Sequence, residues 1–375
     1  MGIDIPSKQL FEVFLIGTGN YGESIIVHAG ANNWIIIDSC IDPKTKDCLP
    51  LSYLKKKRVN LAEDVKLIVC THWHDDHIKG MANLLRECKS ASFSMAIASD
   101  RTKFLQLVQL DYTKLKSESS AVSTLEINEC LQIINDDRRK CLLATQDKLL
   151  LSETDHSSNY EYSVYSLSPS DKVLEDYANE ISTLIKDYGS SNKKIIINDP
   201  NDKSVVLLIK VNQHSILLGA DLEVKNNDKE RGWLCILDNS QIVKTLYNKP
   251  ALFKLPHHGS ITGYHQRIWQ ELTATNAIAE LTSCNHGNLP RENMICTIFE
   301  HTNDIYITSL PKEMRIKKRN FSVTKAISQF NSTVKELAFT YGVVASYIDF
   351  TDENSHWHVE VEGNAQKLDK KQFNS

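Results

Sequence analysis

The stretch 71–80, T-H-W-H-D-D-H-I-K-G, constrains the fold of this chain more than any other. It places His72, His74, Asp76 and His77 within six residues, directly after the apolar run Val65-Lys66-Leu67-Ile68-Val69-Cys70. That run is long enough for a buried strand and too short for a core helix. The histidines therefore belong on a loop at the carboxyl end of a strand, where open α/β sheets keep their chemistry. Neutral imidazole nitrogen and carboxylate oxygen are the usual protein ligands of a borderline-soft divalent ion. By spacing, His72 and His74 can reach one ion while Asp76 and His77 face a neighbouring one.

A chain of 375 residues can bury a substantial core, as one large domain or as a domain with an appendage. The apolar share of 41% and charged share of 24% place it among soluble globular proteins. A formal net charge of −4 neither recruits nor repels nucleic acid, so local patches decide that question. The nine cysteines are odd in number and form no C-x-x-C pair. This argues against a disulfide framework or a cysteine-only zinc site and points to a reducing, cytoplasmic compartment. Asp4, Lys8 and Glu12 interrupt the short apolar stretches at the start, a pattern unlike a secretory signal or a membrane span.

Taken in order, 11–17 and 25–28 read as strands joined by the glycine-rich G-T-G-N-Y-G-E-S. No G-K-[ST] follows, so this is a tight structural hairpin near the site rather than a phosphate cradle. The stretch 33–40, N-W-I-I-I-D-S-C, is a buried strand ending in Asp38. Helices are expected over part of 43–57, over 78–88 and over 172–188, with strands at 93–99 and 164–168; this order is α/β. A helical insert near 101–125 flanks the active face. Two further strand ends carry chemistry. Strands at 205–211 and 215–219 lead into Ala220-Asp221, and 253–260 reads F-K-L-P-H-H-G-S, a strand ending in His257 and His258. A carboxylate at the end of a buried strand needs pairing or a cation. By spacing alone either His257 or His258 can be the ligand. The stretch 278–290 holds Ser283, Asn285, His286 and Asn288 on a loop. Lys312, Arg315, Lys317, Lys318 and Arg319 then form a basic patch, followed by a helix at 321–339 and strands at 343–350 and 356–361.

H-x-H-x-D-H after a hydrophobic strand resembles the signature of the metallo-β-lactamase fold, a superfamily of mostly zinc-dependent hydrolases. The F-K-L-P-H-H-G-S wording is similar to the hydrolase domain of the bacterial DNA-uptake (competence) protein family. The resemblance implies an αββα sandwich of two mixed β-sheets flanked by helices, with residues 1–310 as the hydrolase domain. Residues 311–375 would add a basic helix and a terminal strand pair packed on the same domain. It implies that His72, His74, Asp76, His77, Asp221 and His258 hold one or two Zn2+ ions, with Mn2+ as the alternative. Asp221 would bridge the ions, and Asp38 would brace the metal loop. A histidine usual between the first motif and Asp221 has no counterpart here; His156 and His214 lie in a polar stretch and a hairpin turn.

Ions so held lower the pKa of bound water and supply a nucleophile near neutral pH. Asp76, His257 and His286 are the expected catalytic groups, and Ser260, Ser283, Asn285 and Asn288 the expected substrate contacts. Such polar donors suit a phosphodiester, including DNA or RNA, so a nuclease or phosphodiesterase is the first expectation. A lactonase, thioesterase or lactamase is the alternative, and a non-catalytic interaction protein the third. The resemblance further implies a protein partner in a bacterial defence or toxin module; a homo-oligomer stays open, and the sequence pattern leads to the expectation of no membrane contact.

Overall fold

A computed structural model describes residues 8–19, 21–96, 103–109, 122–188, 199–225, 228–315 and 339–373. In chain order its strands are β1 (Leu10–Gly17), β2 (Glu23–His28), β3 (Trp34–Ile37), β4 (Val65–Cys70), β5 (Ser92–Met95), β6 (Cys141–Leu143), β7 (Lys148–Asp155) and β8 (Tyr160–Ser166). There follow β9 (Leu207–Val211), β10 (His214–Leu218), β11 (Leu252–Lys254), β12 (Ile278–Leu281), β13 (Ile305–Ile307), β14 (Gly342–Asp349), β15 (His358–Gly363) and β16 (Gln366–Lys367). They form two eight-stranded sheets, ordered β15-β14-β1-β2-β3-β4-β5-β6 and β16-β13-β12-β11-β10-β9-β8-β7.

Strand alternation explains why the sheets stack. Along β1, Phe11, Val13 and Leu15 point to a core between the sheets, while Phe14 and Ile16 point to a core under the outer helices. Along β9, Leu207, Ile209 and Val211 join the central core and Leu208 joins a third core on the far side. Both faces of each sheet are thus covered, which is the αββα layering. The helices Leu49–Lys56, Met81–Glu87 and Val122–Asp136 cover the first sheet, and Gly232–Asn239 and Glu292–Ile298 the second.

Each sheet mixes antiparallel and parallel pairs. β3, β4, β5 and β6 run parallel in the first sheet, and β10, β11, β12 and β13 in the second. The carboxyl ends of these parallel strands carry Asp38, the 71–77 loop, Asp221 and His257–His258.

Some elements differ from the sequence expectation. The helix expected over 78–88 is two, Asp75–Ile78 and Met81–Glu87. Gly80 divides them with φ +88, a left-handed conformation that glycine adopts without a Cβ clash. Helix Val122–Asp136 and strands β6 and β7 fill the stretch between the insert and β8, to which the sequence pattern assigns no element. The last strands enter both sheets: β14 pairs with β1 and β16 with β13. Residues 321–338 of the expected helix, Lys317, Lys318, Arg319 and residues 110–121 of the insert lie outside the described residues. Residues 103–109 of the insert are helical, as are 122–125 at the start of Val122–Asp136, and the buried Phe104 packs edge-on against Trp73 at 5.2 Å, beside the histidine loop.

Candidate metal centre

The first sheet contributes Asp38, directly after β3, and the loop after β4. Asp38 is buried with φ 58, a left-handed conformation costly for a side chain with a Cβ. That turn aims its carboxylate at the loop. Asp38 Oδ1 accepts from the Thr71 amide at 2.7 Å, and Oδ2 accepts from the Thr71 hydroxyl at 2.6 Å and faces His77 Nδ1 at 2.8 Å. His72 Nδ1 lies 3.0 Å from Thr71 Oγ1. The inner nitrogens of both rings are thereby occupied, and their Nε2 atoms face away from Asp38.

The second sheet meets this loop from across the central core. Ala220, with φ 45, turns Asp221 inward after β10, and His257 and His258, with φ 47 and 53, follow β11. The two turns interlock through the His257 amide donating to Ala220 O at 3.0 Å. His258 Nδ1 is held by Thr282 Oγ1 at 2.8 Å. Thr282 in turn donates to Glu23 Oε2, and Glu23 Oε1 pairs with the fully buried Lys254 ammonium at 2.5 Å.

Six side chains converge. His72, His74 and Asp221 form one group and Asp76, His77 and His258 another, with the ligating atoms of each group within 4.8 Å of one another. Asp221 Oδ2 stands 3.8 Å from His72 Nε2, 3.5 Å from His77 Nε2 and 3.8 Å from His258 Nε2, so it faces both groups. His77 Nε2, Asp221 Oδ1 and His258 Nε2 are buried without a hydrogen-bond partner. Buried polar atoms left unpaired are costly, and atoms of this type fit a divalent cation. The cluster is a donor set for a dinuclear metal centre.

Electrostatics follow from burial and mutual proximity. Burial alone would raise Asp76 and Asp221, but the facing His77 and His258 rings hold both below the usual carboxylate range. Burial would lower His77 and His258, and the carboxylates, Asp221 first, push both up. His72 is driven well down by burial and by His77.

The other expected site residues fall elsewhere. His257 is beside the cluster but in neither donor group. Ser260 caps the next turn, its Oγ accepting from the Thr262 amide at 3.3 Å. Ser283 shares a hydrogen bond with Ser309 at 2.9 Å, and Asn285 bonds Gly19 O and the Lys312 amide. His286 and Asn288 are exposed on the same loop, His286 packing edge-on against Tyr21 at 5.2 Å. Tyr21 escaped the sequence reading, although its loop was placed near the site. Burial, then the nearby Asp76 carboxylate, push its hydroxyl up, and Lys79 covers its ring at 5.2 Å. Glu23, Lys254, Thr282 and Glu223 were also missed. Only Lys254, a charge inside a short apolar strand, left a signal.

The model of the metallo-beta-lactamase superfamily matches residues 17–98, the segment from the first hairpin through the histidine loop. Among solved structures, the metallo-beta-lactamase SMB-1 bound to mercaptoacetic acid is 12% identical, covering 71% of this chain and 87% of that one, with a TM-score of 0.34. A metallo-beta-lactamase from Cronobacter sakazakii is 12% identical over 64% of this chain and 75% of its own, with a TM-score of 0.30. AidC, a dizinc quorum-quenching lactonase in complex with a product, is 13% identical over 53% and 57%, with a TM-score of 0.28. No curated protein sequence matches the chain. Two mixed sheets packed face to face with helices outside, and a matching superfamily segment that carries the H-x-H-x-D-H loop, give this chain the metallo-β-lactamase fold.

Proposed function

We propose that this protein is a metal-dependent hydrolase whose two donor groups hold divalent ions, with zinc the best match to a set of imidazoles and carboxylates. The observation that carries the reading is the convergence of two three-residue groups around buried, unpartnered His77 Nε2, Asp221 Oδ1 and His258 Nε2. When bound, such ions polarise a substrate oxygen and make water available as a nucleophile near neutral pH. The chain's own residues orient and exclude. Asp38 and Thr71 fix the rings of the histidine loop, and Thr282 fixes His258. Tyr21, packed edge-on against His286, stands beside Asp76.

The surroundings favour an acyl bond, as in a lactone, lactam or thioester. Ser260, Ser283 and Asn285, expected to receive a phosphoryl group, are engaged in the fold. Of the nearby cations, Lys79 pairs with Asp75 at 3.3 Å and Lys254 is buried against Glu23. Phosphodiester hydrolysis, including that of DNA or RNA, is the second reading. It is supported by Lys312 and Arg315 beside the 283–290 loop and by the F-K-L-P-H-H-G-S wording, which alone carries the likeness to DNA-uptake hydrolases. A partner in a defence or toxin module rests on that likeness too. The nine free thiols support a reducing compartment. Among the described residues no helix is long and apolar enough to cross a membrane.

The test is zinc- or manganese-loaded protein assayed with nitrocefin, an N-acyl homoserine lactone, a p-nitrophenyl thioester, bis(p-nitrophenyl) phosphate, DNA and RNA. Turnover of an acyl probe that His72→Ala abolishes is expected. Turnover of only the phosphodiesters selects the second reading, and equal rates in wild type and His72→Ala overturn both.

A further inference from the structure

His257 stands beside the metal donors without being one of them, and its Nδ1 is already taken. Nδ1 lies 3.0 Å from Glu223 Oε1 and 2.9 Å from Thr262 Oγ1, and the Thr262 hydroxyl donates to the same Glu223 oxygen at 3.0 Å. An ionised carboxylate only accepts, so the hydrogen on this side belongs to Nδ1 and the ring cannot flip without losing both contacts. Glu223 is itself anchored, with Oε2 3.6 Å from the Lys225 ammonium, which pairs with Asp202 at 2.9 Å. The backbone is fixed as well: His257 sits at φ 47 with its amide on Ala220 O, next to Asp221. Among the described residues Nε2 has no hydrogen-bond partner, and the ring centroid lies 6.3 Å from that of the donor His258.

We propose that Glu223, assisted by Thr262, is the positioning residue that locks His257 with Nε2 presented to substrate beside the cluster. The proposal deepens the hydrolase reading and rests on it for its kinetic arm.

The test compares Glu223→Ala, Glu223→Gln, His257→Ala and the Glu223→Ala/His257→Ala double variant, using nitrocefin or bis(p-nitrophenyl) phosphate, whichever the wild type turns over. Each alanine variant loses on the order of 100-fold in kcat, with KM and zinc per chain unchanged. The double variant is no worse than His257→Ala, and Glu223→Gln recovers part of the loss. Independently of turnover, nitrogen-detected NMR of the zinc-loaded protein shows His257 with hydrogen on Nδ1, and Glu223→Ala removes that signature. Additive kinetic losses, a fall in zinc content, or a His257 ring with bare Nδ1 would overturn the proposal. If no probe is turned over, the NMR result alone decides it, and the hydrolase reading fails separately.

Discussion

Asp38 satisfies three donors with two oxygens, the Thr71 amide, the Thr71 hydroxyl and His77 Nδ1. Removing it frees the start of the metal loop and one ligand ring together. Asp38→Ala is expected to weaken zinc affinity about 10- to 100-fold, measured by competition with a chromogenic chelator. Glu280 gives the pH dependence. It is fully buried between the sheets, where burial pushes its carboxyl up to about 8 against one hydrogen bond from Ser346. Its folded value lies above its unfolded one, so its contribution is intact below about pH 4.5 and is lost as pH rises towards 8. By pH 7 the loss is on the order of 3 kcal/mol. Glu280→Gln should therefore raise Tm at pH 8 and change it little at pH 4.5; equal shifts at both pH values would contradict the assignment. At this scale the sequence exposed the ligands because four of them sit within one short loop. It hid their supports: the bond from Thr282 to Glu23 spans 259 residues, and no local spacing announces it.

The site depends on parallel strands ending side by side, and the sequence made most of those strands legible as apolar runs closed by Asp or His. What it did not disclose is how closely the sheets meet at the site. Gly17, at the end of β1, faces the opposite sheet so tightly that a Cβ there would lie 2.2 Å from Thr308 Oγ1 and 2.8 Å from Thr282 Cγ2. Gly17→Ala should cost about 1–3 kcal/mol in a denaturant titration. Because Thr282 holds His258, the same change should weaken metal binding. The split at Gly80 was equally hidden, since the apolar pattern of 78–88 continues across it while the backbone does not.

The donors come from both halves of the molecule, the histidine loop from the first sheet and Asp221 and His258 from the second. Bound ions would therefore tie the two sheets together and stabilise the whole chain by mass action. Zinc at about 1,000 times its Kd adds about 4 kcal/mol, so chelation by EDTA should lower Tm by several degrees and added zinc should restore it. An Asp221→Ala protein should show little of this response. The layered architecture was accessible from the sequence through the H-x-H-x-D-H resemblance, whereas periodicity alone reached only an α/β order. The proposed preference for an acyl bond rests on side chains whose partners are fixed by the tertiary fold, Ser283 with Ser309 and Asn285 with Gly19, and no reading of a linear stretch could have found them spent.

The most direct measurement is the zinc content of the purified chain after gel filtration in buffer with micromolar free zinc, by inductively coupled plasma mass spectrometry. Two ions per chain are expected, with fewer in Asp221→Ala, whose missing carboxylate faces both groups. A wild-type chain that elutes folded and carries no zinc would contradict the account.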